Sequence, residues 1–260
     1  MLIDTHVHLD DPRYDPDREA MFQRAYEAGV EKFVTIGCDL STSYAAVELA
    51  TIRPNVYATI GVHPHEVKRI EPNWYSELSQ LAHQPKVVAF GEIGLDYHYD
   101  HSPRETQRQR FREQIELAQS LSLPLVIHTR EAQEDTMAIL QEGHAEKVGG
   151  VFHCFSEDLA FAKRALDMGF YLSFSGIITF RNASQLREVI RTVPDNRLLL
   201  ETDAPYLTPI PFRGKRNESA YIAYVAEQIA EIKYGDSRTG LARVAELTTN
   251  NACQLFKISS

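Results

Sequence analysis

Two histidines one residue apart stand near the N-terminus, in the stretch "IDTHVHLDD". His6-x-His8 alone recurs by chance in many sequences, and it reads either as a pair of metal ligands or as polar residues opening a surface loop. Further along, Glu92, His128, His153 and Asp203 close the apolar runs "VVAFGE", "PLVIH", "GGVFH" and "RLLLETD". Imidazole and carboxylate are the side chains that bind divalent cations and move protons near neutral pH. Six such residues, brought together, are the equipment for hydrolysis by a metal-activated water.

Bringing them together requires a frame, and the apolar periodicity supplies one. Candidate strands fall at 2–7, 32–36, 56–61, 87–92, 124–128, 149–153, 170–174 and 197–203. Helical patterns lie between them near 16–28, 41–52, 73–83, 103–121, 131–142, 157–168 and 182–192, with a further pair near 219–232 and 238–256. Ser102-Pro103-x-Glu105 carries a helix-start signal, and Ser156 and Asn182 are similar N-cap candidates. Gly29 and Gly169 stand where a glycine ends a helix.

Eight strand–helix units predict an α/β protein with a (β/α)8 TIM barrel fold. An open doubly wound sheet fits less well, because no glycine-rich phosphate loop follows the first strand. No linker or internal repeat divides the chain, so residues 1–260 are expected to form one barrel domain.

In such a barrel the chemistry sits at the C-terminal ends of the strands. His6 and His8 then close strand one, Glu92 strand four, His128 strand five, His153 strand six and Asp203 strand eight. Strand side chains alternate, which puts His6 with His8, His128 with Arg130, and Glu201 with Asp203 on common faces. A surface-loop reading would have to treat all these coincidences as accidents, so the metal reading prevails.

A single catalytic zinc usually takes three protein ligands; six are enough for two ions sharing a carboxylate. One plausible division gives His6, His8, Glu92 and Asp203 to one ion and Glu92, His128 and His153 to the other. Imidazole-rich spheres suit Zn, Mn or Fe better than Mg, although availability also decides between Zn, Mn and Mg.

The formal net charge of −9 counts against a protein that coats nucleic acid non-specifically, but not against local capture of one phosphodiester. Three dispersed cysteines suggest neither a disulfide framework nor a CxxC site. No segment reads as a membrane span or signal peptide, so a cytoplasmic protein is expected.

The phrases "THVHLD", "GVHPHE", "GEIGLDYHY", "IHTREA", "HCFSED" and "ETDAPYLTP" resemble the TatD family of metal-dependent deoxyribonucleases, within the amidohydrolase superfamily. "GEIGLDY" and "ETDAPYLTP" are the specific phrases, whereas "THVHLD" is shared across the superfamily. The matching phrases span residues 4 to about 217. Where many amidohydrolases carry a carboxylated lysine, this chain has Glu92, as the TatD-like branch does.

The resemblance implies a hydrolase that cuts DNA phosphodiester bonds with divalent metal, with an exonucleolytic mode expected. It also implies that His63 touches the scissile phosphate or leaving group. Two metals about 3.5–4 Å apart would activate a shared water, with Asp203 as the general base that orients and deprotonates it.

The supporting residues admit two readings each. Arg130 either grips phosphate or pairs with Glu131. His65 follows His63 around Pro64 and is assigned less firmly to the substrate. Glu201 either orients a histidine ligand, the favoured reading, or forms a salt bridge inside the barrel. Arg213, Lys215 and Arg216 in "FRGKRN" are either a solvated charge run or a hold on the nucleic-acid backbone. Tyr97, Tyr99 and Tyr206 either stack on bases of a single strand or simply pack. His83, His98, His101 and His144 read as surface or structural residues.

The expected partner is therefore DNA, as single strands or strand ends, with no membrane and no obligate protein partner. A small-molecule metallohydrolase acting on a lactone, cyclic amide or phosphotriester is the alternative, since the same water would serve it. A non-catalytic metal scaffold is disfavoured because it needs no residue like Asp203.

Overall fold

Apolar runs too short for helices and rich in Val, Ile, Leu and Phe become strands, and the amphipathic segments between them become helices. In the structure, a computed structural model that describes residues 1–259, this alternation occurs eight times. The strands are β1 (Leu2–Val7), β2 (Val30–Thr35), β3 (Val56–Ile60), β4 (Val87–Asp96), β5 (Leu125–Arg130), β6 (Gly150–Phe152), β7 (Tyr171–Phe174) and β8 (Leu198–Leu200). They form one parallel sheet in sequential order, the (β/α)8 barrel class that the periodicity predicts. Among the described residues, no helix is long and apolar enough to cross a membrane.

The helices are α1 (Arg18–Glu27), α2 (Leu40–Ile52), α3 (Trp74–Leu81), α4 (Arg104–Ser120), α5 (Gln133–Glu142), α6 (Leu159–Asp167), α7 (Ser184–Thr192), α8 (Ile222–Tyr234) and α9 (Ser237–Phe256). Gly29 and Gly169 follow α1 and α6 with φ of +83° and +82°, the left-handed conformation expected of a glycine that ends a helix.

The expected N-caps are corrected. Ser102 is buried and donates instead to the His65 carbonyl at 2.9 Å. Asp158 rather than Ser156 accepts the Phe161 amide ahead of α6. Ala183 rather than Asn182 precedes α7, with no side-chain cap. The strongest cap was not anticipated: Asp39 and Thr42 form a reciprocal capping box on α2.

The chain falls into two compact units: Met1–Thr35 with His153–Lys163 and everything from Tyr171 onward, and Ile36–Phe152 with Arg164–Phe170. In the first unit, β1 pairs with β2, β7 pairs with β8, and Val7 bridges to Ala204 just beyond β8. Helices α8 and α9 pack together, and α9 lies against β1 and β8. Phe22 of α1 meets Phe33 of β2 edge to face, with centroids 5.2 Å apart. Each such buried side chain contributes about 1.5–3 kcal/mol.

In the second unit, β4 pairs with both β3 and β5, and β5 with β6. Helix α2 packs on β3 and α4 on β4. Buried on both faces, these strands read as continuous apolar runs.

Two boundaries matter for the site. β4 continues past Glu92 to Asp96, and β8 stops at Leu200, so Glu201–Asp203 lie beyond the ladder rather than in it. Gly94 permits the longer β4. Its φ is +144°, and a Cβ there would collide with the carbonyl of His128 on β5.

Candidate metal centre

In the first unit β1 delivers His6, fully buried, and His8 follows the strand end. The backbone binds the two segments together: the His8 amide donates to the Ala204 carbonyl at 2.8 Å and the Asp203 amide to the His6 carbonyl at 2.9 Å. Asp203 Oδ1 thereby reaches His8 Nε2 at 3.3 Å and His6 Nε2 at 3.6 Å. The Asp203 backbone has φ of +54°, a left-handed conformation uncommon for a non-glycine residue and typical of a functional position.

Past β6, His153 stacks on His6 with centroids 3.9 Å apart, and its Nδ1 lies 3.4 Å from Glu201 Oε1. The same Glu201 oxygen accepts the Cys154 amide at 2.7 Å.

Several buried side chains fix the segment that carries Asp203. Asp4 accepts from the Thr202 amide at 3.0 Å, the Thr202 hydroxyl at 2.6 Å and the Ser219 hydroxyl at 2.6 Å. Burial nevertheless pushes its carboxyl up to about 7. Asn217 Nδ2 donates to the Thr202 carbonyl at 3.0 Å and the Tyr206 carbonyl at 2.5 Å. Tyr14, itself buried, donates to the Asn217 carbonyl at 2.8 Å.

In the second unit, Glu92 on β4 and His128 on β5 meet at 2.9 Å through Oε1 and Nδ1. His63, after β3, brings Nε2 to 3.4 Å from the same Glu92 oxygen. His128 Nε2 lies 3.1 Å from Asp96 Oδ2, and His65 Nε2 reaches that oxygen at 2.9 Å.

Two glutamines of α4 brace this set from behind. Gln107 accepts the Asp96 amide at 2.8 Å and donates to the Asp96 carbonyl at 3.0 Å. Gln114, two turns on, accepts the Val62 amide at 2.8 Å and donates to the Val62 carbonyl at 3.0 Å. Asp96, Gln107, Gln114, Asp4 and Asn217 were not anticipated as supports of the site.

Groupings that present ligand atoms within 4.8 Å of one another include His6, His8 and Asp203 and His6, His153 and Glu201 in the first unit, and His63, Glu92 and His128 in the second. Their donor chemistry fits a divalent cation. Metal binding needs neutral imidazole and ionised carboxylate. Burial lowers His63 to about 4, leaving it neutral at neutral pH. Burial raises the Asp203 carboxyl, but the His8 hydrogen bond and the fields of His6 and His153 outweigh it and hold it below the usual range.

His128 has a carboxylate oxygen on each ring nitrogen. A neutral imidazole can donate to only one of them. Were His128 and Glu92 to hold a cation, Nε2–H of the neutral imidazole would be left to donate to Asp96, the usual carboxylate support of a ligating histidine. Glu201 stands in the corresponding relation to His153.

The remaining expected residues lie as follows. Arg130 rests over the exposed Tyr99 ring at 4.8 Å. It does not pair with Glu131, which binds His98 at 2.6 Å. Arg216 is held by Asp17 at 2.6 and 2.9 Å and lies over Tyr14, so it anchors its loop to the segment before α1. Arg213 and Lys215 are exposed, resting over Phe180 and Phe212, and among the described residues neither pairs with a carboxylate.

Tyr97 donates to Asp135 at 2.5 Å and is packing, whereas Tyr99 and Tyr206 are about half exposed. His101, expected to be a surface or structural residue, packs its ring on His65 at 4.5 Å and stacks on Tyr99.

A (β/α)8 fold with clustered histidines and carboxylates just past its strand ends defines the class of metal-dependent barrel hydrolases. The comparisons agree and are more specific. The family model described as TatD related DNase matches residues 3–257, and the chain belongs to that family. It is 46% identical to the uncharacterized metal-dependent hydrolase YabD of Bacillus subtilis, covering 100% of both chains. It is 33% identical to the 3'-5' ssDNA/RNA exonuclease TatD of Salmonella typhimurium, covering 99% of each. The crystal structure of YjjV, a TatD homologue from Escherichia coli, superposes with a TM-score of 0.92 at 33% identity, covering 99% of this chain and 98% of that one. The protein is thus a metal-dependent hydrolase of the TatD family.

Proposed function

We propose that the protein is a nuclease that hydrolyses phosphodiester bonds of single-stranded DNA, working from a strand end. Two divalent ions, Zn or Mn in preference to Mg on so imidazole-rich a donor set, would supply an activated water and draw charge from the phosphate oxygens. His6, His8, Asp203 and His153 hold one in the first unit, and Glu92 and His128 hold the other in the second.

The observation that carries the reading is the placement of the Asp203 carboxylate, with Oδ1 3.3 Å from His8 Nε2 and 3.6 Å from His6 Nε2. An anionic carboxylate can take the proton of an attacking water, which makes Asp203 the general base. Neutral His63 donates a hydrogen bond to a phosphate or leaving-group oxygen without the repulsion an imidazolium would feel from its histidine neighbours. Arg213 and Lys215 hold the substrate backbone, as does Arg130 with its guanidinium laid on Tyr99. His65, Glu201 and Arg216 support the site and its loop rather than touch substrate. The exonuclease name carried by the Salmonella relative supports the strand-end mode.

The test uses metal-stripped protein, added Mn, Zn or Mg, and single-stranded oligonucleotides labelled at the 3′ or 5′ end. A lactone and a phosphotriester are assayed in parallel. Metal-dependent release of nucleotides from one end is the expected result. Turnover of a small ester with intact oligonucleotide would replace the nuclease by a small-molecule metallohydrolase.

A further inference from the structure

Three residues past Asp203, the chain turns outward and presents Tyr206 with 49% of its surface exposed. The turn is rigid. The Tyr206 amide donates to the Asp203 carbonyl at 2.9 Å, and its carbonyl accepts from buried Asn217 at 2.5 Å. The ring stands almost perpendicular to that of His8, at 80° with centroids 5.8 Å apart, so it borders a metal-ligand candidate directly.

The Arg13 guanidinium lies over the ring, 4.4 Å from its centroid. Arg13 is itself fixed by a two-pronged hydrogen bond to Asp11, from Nε at 2.8 Å and Nη2 at 2.7 Å, while Asp11 also accepts the Arg13 amide at 2.9 Å. The guanidinium charge is thus spent on Asp11, which makes the assembly a poor phosphate receptor. What it offers is immobilised aromatic surface, pre-ordered beside the reacting centre.

We propose that Tyr206, backed by Arg13, is the stacking platform for the nucleobase of the nucleotide being released, and so determines the preference for base-bearing ends. The proposal rests on the nuclease reading and adds to it which part of the substrate is recognised. Every base has a π face, so such a platform grips strand ends of any sequence while discriminating against ends that lack a base. Base–aromatic stacking of this kind corresponds to about a 5- to 100-fold change in binding on truncation to alanine.

The test compares wild type, Tyr206→Phe and Tyr206→Ala on two oligonucleotides, one ending in a normal nucleotide and one in an abasic residue. Tyr206→Ala should raise KM on the normal end by about 5- to 100-fold and leave KM on the abasic end unchanged. Tyr206→Phe should behave as wild type on both. As a readout without turnover, an oligonucleotide ending in 2-aminopurine is bound to protein carrying Asp203→Asn. Its fluorescence should be quenched when residue 206 is Tyr or Phe and unquenched in the Tyr206→Ala variant.

Equal effects on both ends, or quenching that survives Tyr206→Ala, would overturn the platform while leaving the nuclease intact. Failure of wild type to cut any oligonucleotide, with a small ester still turned over, would remove the nuclease reading and the platform together. Because Tyr206 is half exposed, the alanine variant should keep the wild-type melting temperature, which separates loss of stacking from loss of fold.

Discussion

The two candidate ligand sets are built differently. In the second unit Glu92 and His128 lie within strands, Glu92 at a register shift between Phe90 and Ile93, beyond which the β4–β5 ladder aligns Gly94 with His128 and Asp96 with Arg130. In the first unit only His6 lies within a strand. His8, His153, Glu201 and Asp203 follow strand ends, on backbone that leaves the ladder.

The ladder positions His128 and Asp96, and α4 reinforces the second set through Gln107 behind Asp96 and Gln114 behind Val62, next to His63. The first set is positioned by a few backbone bonds beyond the strand ends, between His6–His8 and Asp203–Ala204, and by the side chains Asp4, Asn217 and Tyr14. A ladder is many cooperative bonds; a side-chain anchor here is one to three. The first set should therefore be the more sensitive to single substitutions outside the candidate ligands, and it is where Asp203, the proposed general base, sits.

The largest expected effect falls on that carboxylate. Asp203→Asn should lower kcat for phosphodiester hydrolysis by about 10²–10⁴-fold, read by initial rates on a labelled oligonucleotide with bound metal quantified in the same sample.

Next come the two carboxylates that orient histidines, which compare the sets directly. Asp96→Asn and Glu201→Gln should each weaken metal affinity or activity by about 10–100-fold, measured by competition with a chelating dye. Asp96→Asn should perturb only the second set. Equal disturbance of both sets by either change would break the distinction.

The braces follow. Asn217→Ala leaves the Thr202 and Tyr206 carbonyls without their donor and should cost about 1–3 kcal/mol in urea unfolding, with a further loss of kcat. Gln107→Ala should cost a similar amount of stability but less kcat, because the β4–β5 ladder still holds Asp96.

The smallest effect concerns the anchor of the cationic loop. Arg216 and Arg24 hold the Asp17 carboxyl well below the usual carboxylate range. Its ion pairs therefore stabilise the fold above about pH 4 and lose that contribution as the pH falls and Asp17 protonates. Asp17→Asn should cost at most about 1 kcal/mol at neutral pH, after allowing for solvent screening, and the difference from wild type should close on acidification.

The comparison also explains what could be read in the sequence. Ligand types closing apolar runs were legible because a parallel barrel makes strand and loop register predictable, and the eight-fold alternation pointed to the same fold. Asp96 escaped because β4 was ended at Glu92. Continued by two-residue steps through Gly94, the same strand places Glu92 and Asp96 on one face.

Gln107 and Gln114 were illegible for a different reason. Polar residues on an amphipathic helix read as its solvent face, and only the packed structure shows both buried against strand-end backbone. Ser102, Ser156 and Asn182 misled because local capping propensity lost to tertiary bonds, most clearly where Ser102 turns to the His65 carbonyl. Arg216 looked like its neighbours in "FRGKRN", and nothing local distinguishes a cation that has a carboxylate 199 residues away from one that does not.

We propose that each candidate ligand set holds its own ion. Counting bound Mn or Zn per folded chain by elemental analysis tests it most directly, using wild type, the His6→Ala/His8→Ala double variant, and His128→Ala. Two ions in wild type and one in each variant are the predicted result. A wild-type chain that binds no ion, or variants that both retain two, would contradict it.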